Sequence, residues 1–180
     1  MAYVDPSIRH WDPKQEFIGA GLKPYKHWVL EVSWQQHTLG CYIIFCRRKG
    51  VRRQSELTPS ESTELIEVMR EIETALCKCP LFKPDHFNYL QLGNVLPLLH
   101  FHGVPRYKKN RRFSKTLLDR EITDIDPNYL PHWTTDSITK AQMRDLREEM
   151  WVAMGGKRIG MAKRENPLYQ RIREALAIWW

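Results

Sequence analysis

No stretch of the 180-residue chain approaches 18 consecutive apolar residues, so the sequence offers no membrane-crossing helix. The opening residues, MAYVDPSIRHWDPKQEF, lack the apolar centre of a secretory leader. The expected location is therefore the cytoplasm. Internal repeats and low-complexity tracts are also missing. Cysteine is sparse, at Cys41, Cys46, Cys77 and Cys79, and thiols are expected in a reducing compartment. Neither the Cys41/Cys46 nor the Cys77/Cys79 spacing matches a common zinc knuckle, and Cys41 and Cys46 differ in parity along a strand. The four read as small buried hydrophobes rather than as a metal centre.

Hydrophobic residues make up 42% of the chain, enough for one domain with a core. The net charge of +7 argues for an anionic partner. The basic residues cluster at Arg47, Arg48, Lys49, Arg52 and Arg53, at Lys108, Lys109, Arg111 and Arg112, and at Lys157, Arg158, Lys163 and Arg164. Such runs are commonly solvated surface; here two of them flank the segments that carry the candidate chemistry.

Residues 28–34, WVLEVSW, alternate so that Trp28, Leu30, Val32 and Trp34 share one face, the pattern of a half-buried strand. After a turn, CYIIFCR is apolar on both faces and reads as a central strand. The next segment has a helix start at Thr58, with Pro59 in the first turn and Glu61 completing a capping box. Leu65, Val68, Met69, Ile72, Ala75 and Leu76 form its apolar stripe, and Pro80 stops it. HFNYLQL and VLPLLHFHGV follow as strands joined at Gly93-Asn94. The order strand, strand, helix, strand, strand predicts an α+β fold with an antiparallel sheet and the capped helix packed on it.

Residues 1–26 read as an N-terminal arm, 27–107 as the core domain and 108–180 as a basic C-terminal extension with two helices. The first of these carries Ile138, Met143, Leu146 and Met150. The second starts at Asn166-Pro167 and ends in Trp179-Trp180, an apolar terminus suited to docking on the domain or on a second subunit.

His100 and His102 lie two apart in an apolar run, which places both on one strand face in line with Leu96 and Leu98, while Leu99 and Phe101 point to the core. Three chemistries suit such a pair. They are a hydrogen-bonded couple, a metal chelate, or a nucleophile. In the last case a neutral imidazole attacks phosphorus while its second nitrogen is held by a carbonyl.

The segment FNYLQLGNVLPLLHFHGVPRY, with the hairpin and capped helix upstream, resembles the histidine triad (HIT) superfamily, whose strand reads His-φ-His-φ-His-φ-φ with φ apolar. The resemblance covers about residues 27–107. Leu98 stands at the first triad position, as in a HIT-like branch that shows only His-Phe-His. A further histidine common after the second strand has Lys49 as its nearest counterpart. The resemblance implies a nucleotide hydrolase or transferase, of phosphoramidase or dinucleoside polyphosphate hydrolase type, and a homodimer. His100 would be the nucleophile and His102 a donor to a phosphate oxygen. Asn88 would bind phosphate or ribose, Asn94 would sit beside the leaving group and Arg106 would face an outer phosphate. Pro105 would fix the strand exit. No cofactor is required, and a divalent cation would enter only with a polyphosphate substrate. The base would sit in an apolar pocket for which Trp28, Leu30 and Ile44 are candidates, with plain core as the competing reading. The mechanism asks for a His100 ring that solvent can reach. Two other functions stay open. One is action on adenylylated nucleic-acid ends, as in aprataxin-like relatives, suggested by the charge and the runs KKNRR and GGKRIGMAKR. The other is a non-catalytic partner-binding domain that works through Trp179-Trp180.

Overall fold

A computed structural model describes residues 21–92, 97–108 and 138–158. Its elements are β1 (Gly21–Pro24), β2 (Trp28–Val32), β3 (Tyr42–Cys46), α1 (Pro59–Lys78), β4 (His86–Leu90), β5 (His100–Arg106) and α2 (Lys140–Ala153). The strands form one antiparallel sheet in the order β1-β2-β3-β5-β4. This is the expected α+β architecture.

The α1 start follows the sequence chemistry. Thr58 Oγ1 accepts from the Glu61 amide at 3.3 Å, and Glu61 Oε2 accepts from the Thr58 amide at 2.7 Å. Two otherwise orphaned donors are thereby satisfied. Leu65, Val68, Ile72, Ala75 and Leu76 are buried against the sheet. Trp28 Nε1 donates to the Glu61 carbonyl at 2.8 Å and ties strand to helix.

Strand period two divides the sheet into a helix side and a histidine side. The helix side carries Trp28, Leu30, Tyr42, Ile44 and Phe101. The opposite side carries Val29 and Glu31 from β2, Ile43 and Phe45 from β3, and His100 and His102 from β5. All five residues of β2 are buried, so the expected half-buried strand is covered on both faces. Gly103 has a steric reason for its identity. A Cβ there would lie 2.1 Å from the Tyr42 ring, which crosses the strand at that point.

Several boundaries differ from the sequence reading. Residues 21–24 fall in the expected arm but form β1, whose Leu22 is core. α2 falls in the expected extension, yet its Met143, Leu146 and Met150 join the same core. The domain thus begins no later than Gly21 and takes in α2, because the sheet's first strand and one flank of α1 need these apolar side chains as cover. β5 starts at His100 rather than near Val95, so Leu98 precedes the strand instead of continuing its row. Cys41 and Cys46 are buried as expected, but Cys77 is exposed and Cys79 half-buried, because both come at the solvent-facing end of α1. The Gly93-Asn94 turn, Asn94 itself and the final helix with Trp179-Trp180 lie outside the described residues. No helix among the described residues is long and apolar enough to cross a membrane.

Candidate active site

His100 is held on three sides. Its Nδ1 lies 2.7 Å from the Leu98 carbonyl oxygen. Its ring stacks on Phe45 at 5.5 Å and 30°, and meets the His102 ring edge-on at 5.0 Å. A carbonyl can only accept, so Nδ1 carries the proton and Nε2 keeps its lone pair. Burial pushes the His100 pKa below its ordinary value, against a smaller upward pull from the Leu98 carbonyl. Burial, with the neighbouring imidazoles of His100 and His37, lowers His102 to about 4. Both rings are neutral at pH 7. The chemistry open to them is that of an unprotonated nitrogen donor beside a second imidazole.

The expectation of a solvent-reachable His100 needs correction. His100 is 6% exposed, with Phe45 and His102 against its ring, and His102 is the half-buried member of the pair.

Asn88 and Arg106 are brought together on the histidine side. Asn88 Oδ1 accepts from Arg106 Nη1 at 2.7 Å, in the register that pairs Asn88 with Val104 and His86 with Arg106. Arg106 is buried, so its guanidinium is engaged within the sheet rather than extended toward solvent. Trp28, Leu30 and Ile44, the candidates for a base pocket, are fully buried on the helix side. They cannot share a cavity with the histidines, because strand alternation puts the sheet between them. The apolar residues of β2 and β3 on the histidine side are Val29, Ile43 and Phe45.

Lys49 is exposed in the turn after β3. That turn is stitched to the start of β5, with Leu99 N donating to Val51 O at 2.8 Å. Three of its five cations already have protein partners. Arg48 binds Glu61 at 2.8 and 2.9 Å, Arg53 binds Glu56 at 2.7 Å, and Arg47 donates to the Tyr25 carbonyl at 2.6 Å. In the third run, Arg158 pairs with Glu149 at 2.6 Å.

One residue escaped the sequence reading. His37 sits in the β2–β3 loop, buried, with its pKa lowered by burial to about 4 and its charge coupled to that of His102. The loop is locked in place by its neighbours. The Gln36 amide bonds Ser33 O, Cys41 O and the amides of Gly40 and Cys41, while Thr38 Oγ1 donates to Pro105 O and Tyr107 Oη to Leu39 O. Thr38 thus fastens this loop to the C-terminal half of β5, and the His37 charge acts on His102. Nothing in WQQHTLG marks it, because a loop histidine has no periodicity to betray which face it joins. Among the described residues, no group of three or more side chains is arranged to hold a metal ion.

Residues 35–109 match the family model of the HIT domain. This segment is a HIT domain. Solved structures agree on the fold of the wider chain. A histidine triad protein from Sinorhizobium meliloti 1021 superposes with a TM-score of 0.56 at 18% identity, over 79% of this chain and 95% of that one. A hypothetical histidine triad nucleotide-binding protein from Sulfolobus tokodaii strain7 gives 0.55 at 14% identity, over 76% and 83%. A Hit-like protein involved in cell-cycle regulation from Bartonella henselae gives 0.54 at 13%, over 74% and 85%. No curated protein matches the sequence. The matched segment holds β3, the capped helix, β4 and the histidine strand, while β1, β2 and α2 lie outside it.

Proposed function

We propose that this HIT domain is a nucleotide hydrolase or transferase that works through a covalent nucleotidyl-histidine. The observation that carries this reading is the hydrogen bond from His100 Nδ1 to the Leu98 carbonyl in a ring that burial keeps neutral. It leaves Nε2 as a directed lone pair, the requirement for attack on phosphorus. The Nε2–P bond forms at the α-phosphorus as the bond from phosphorus to the leaving group breaks. Water then attacks the same phosphorus, the N–P bond breaks, and a nucleoside monophosphate leaves with His100 again neutral. His102 donates an N–H to a phosphate oxygen, and its greater exposure makes its side of the pair the one from which substrate approaches. Leu98 has no donor to offer at the first triad position, so charge on the phosphoryl oxygens is met by His102 and its neighbours. The resemblance to HIT proteins, one of which is described as nucleotide-binding, supports a nucleotide as substrate.

The test is incubation with labelled dinucleoside polyphosphates and nucleoside phosphoramidates, for the wild type and His100→Asn. A trapped protein adduct is expected in the wild type and none in the variant. Full turnover by a folded His100→Asn protein would overturn the mechanism.

A further inference from the structure

Gly103 follows His102 directly, where the strand pattern His-φ-His-φ-His-φ-φ has an apolar side chain. Glycine inside a strand costs backbone entropy and packs nothing, so it calls for a local cause. The cause is a pair of tyrosines. Register places Gly103 between Tyr42 of β3 and Tyr89 of β4, in one row across three strands. The next row is Ile43, His102 and Leu90. The outer backbones of such a row lie about 10 Å apart, with residue 103 midway. Glycine leaves that gap open on the helix side, and the two tyrosines close over it. Their rings meet edge-on, with centroids 6.3 Å apart at 70°, and their hydroxyls lie 2.7 Å apart. A Cβ at position 103 would fall 2.1 Å from Tyr42 Cε2 and 2.2 Å from Cζ, the atom that bears the hydroxyl.

The bonds run in one direction. Tyr89 Oη donates to Glu73 Oε1 at 2.8 Å. A phenol has one proton to give, so Tyr42 is the donor to Tyr89. Burial raises both phenol pKa values and the Glu73 charge adds to the rise, so both hydroxyls keep their protons. Glu73 lies on α1, so the helix, β3 and β4 are all tied to the β5 main chain one residue after His102. The ends of β5 have other fastenings, from Leu99 to Cys46 and Val51 and from Thr38 to Pro105. At 103 the strand has no side chain of its own to pack, and the two rings supply that packing.

We propose that Tyr42, Tyr89 and Glu73 are positioning residues for His102: they clasp β5 at Gly103 and fix the angle at which the imidazole leaves the opposite face. For catalysis this rests on the proposed function, in which His102 donates to a phosphate oxygen; the placement of the ring does not.

The test compares the wild type with Tyr89→Phe, which removes one oxygen and keeps the ring, with Glu73→Gln, which keeps an acceptor for Tyr89, and with Leu65→Ala, which loosens the buried face of α1 away from the clasp. Two readouts are taken: the His102 titration by NMR, with its charged neighbours His100 and His37 unaltered throughout, and the split between kcat and KM. In Tyr89→Phe the His102 midpoint should rise from about 4 by roughly 0.5 or more as the ring gains water. Its kcat should fall roughly threefold to tenfold at a KM within about twofold, the mark of a contact made in the transition state. Glu73→Gln should stay near the wild type in both readouts. Leu65→Ala should lower the thermal midpoint and leave the His102 curve in place. A Tyr89→Phe protein of reduced thermal midpoint with a wild-type His102 curve overturns the inference, and so does a Leu65→Ala protein that moves His102 equally. A shifted His102 curve at unchanged kcat overturns the role in catalysis. A shifted curve together with full turnover by His100→Asn supports the clasp and overturns the covalent mechanism instead.

Discussion

The two faces of one sheet follow different rules. On the helix side, Trp28, Leu30, Tyr42 and Ile44 are sealed under α1; Leu30 and Ile44 ask only for apolar volume, and the Trp28 N–H and Tyr42 hydroxyl each have one hydrogen-bond partner. On the other side, burial is nearly as complete but the residues are Glu31, His100, His102, Asn88 and Arg106 beside Val29 and Phe45. Hydrophobic burial stabilises the first face at little chemical risk. The second face carries desolvated polar groups that each need a partner. Apolar cover therefore marks stability on one side, and polar groups held under cover mark the candidate chemistry on the other.

The sharpest break in this contrast is at the nucleophile. His100→Asn is expected to lower turnover by at least ~10³-fold, the scale for losing a covalent nucleophile. The thermal midpoint should barely move, since the helix-side core is untouched. Steady-state assays beside calorimetry check both halves.

Next in size is a pair of neighbours on opposite faces. Ile44→Ala removes a fully buried helix-side chain and should cost about 2–5 kcal/mol. Ile43→Ala, on the half-buried histidine side, should cost about half as much or less, because part of its surface already meets solvent. Urea unfolding decides; equal losses would erase the asymmetry.

A smaller effect comes with pH. His37 and His102 have folded pKa values near 4, and His100 is also lowered, against about 6.5 unfolded. The native state thus binds fewer protons than the unfolded chain between those values. Stability should be full above about pH 6.5 and fall as pH drops toward about 4. Glu61, lowered to about 2 by Arg48 and the Thr58 cap, acts in a separate window, with its contribution lost below about pH 4.5. Denaturant midpoints measured from pH 7 to pH 4 should show the histidine slope, and His102→Gln should flatten it.

The smallest effect tests whether the β2–β3 loop belongs to the histidine side. In His37→Gln, a like charge beside His102 disappears, so the His102 midpoint should rise above about 4 in an NMR titration. An unchanged His102 curve would detach His37 from the site.

Much of the helix side was legible in the sequence. Thr58, Pro59 and Glu61 state their capping roles locally, and the stripe from Leu65 to Leu76 repeats at helical intervals. The histidine pair and its strand alternation were legible for the same reason. Trp28, Leu30 and Ile44 took the plain-core reading; the sequence left a base pocket open beside it because β2 and β3 are apolar on both sides, and an apolar run covered twice over does not say which face a ligand shares. Glu31 looked like the polar member of an alternating strand, where solvent would be its natural surroundings. β1 is four residues long and ends in Pro24, too short to show a period. The pairing of Asn88 with Arg106 depends on the register of two strands, which residue types alone do not specify.

The oxygen that sets the tautomer of His100 belongs to the main chain. No side-chain replacement at position 98 can delete it, so a leucine there leaves the nucleophile's lone pair aimed as a histidine would. Removing that restraint would take an alteration of the peptide linkage after Leu98, or a shift in the path by which the chain enters β5.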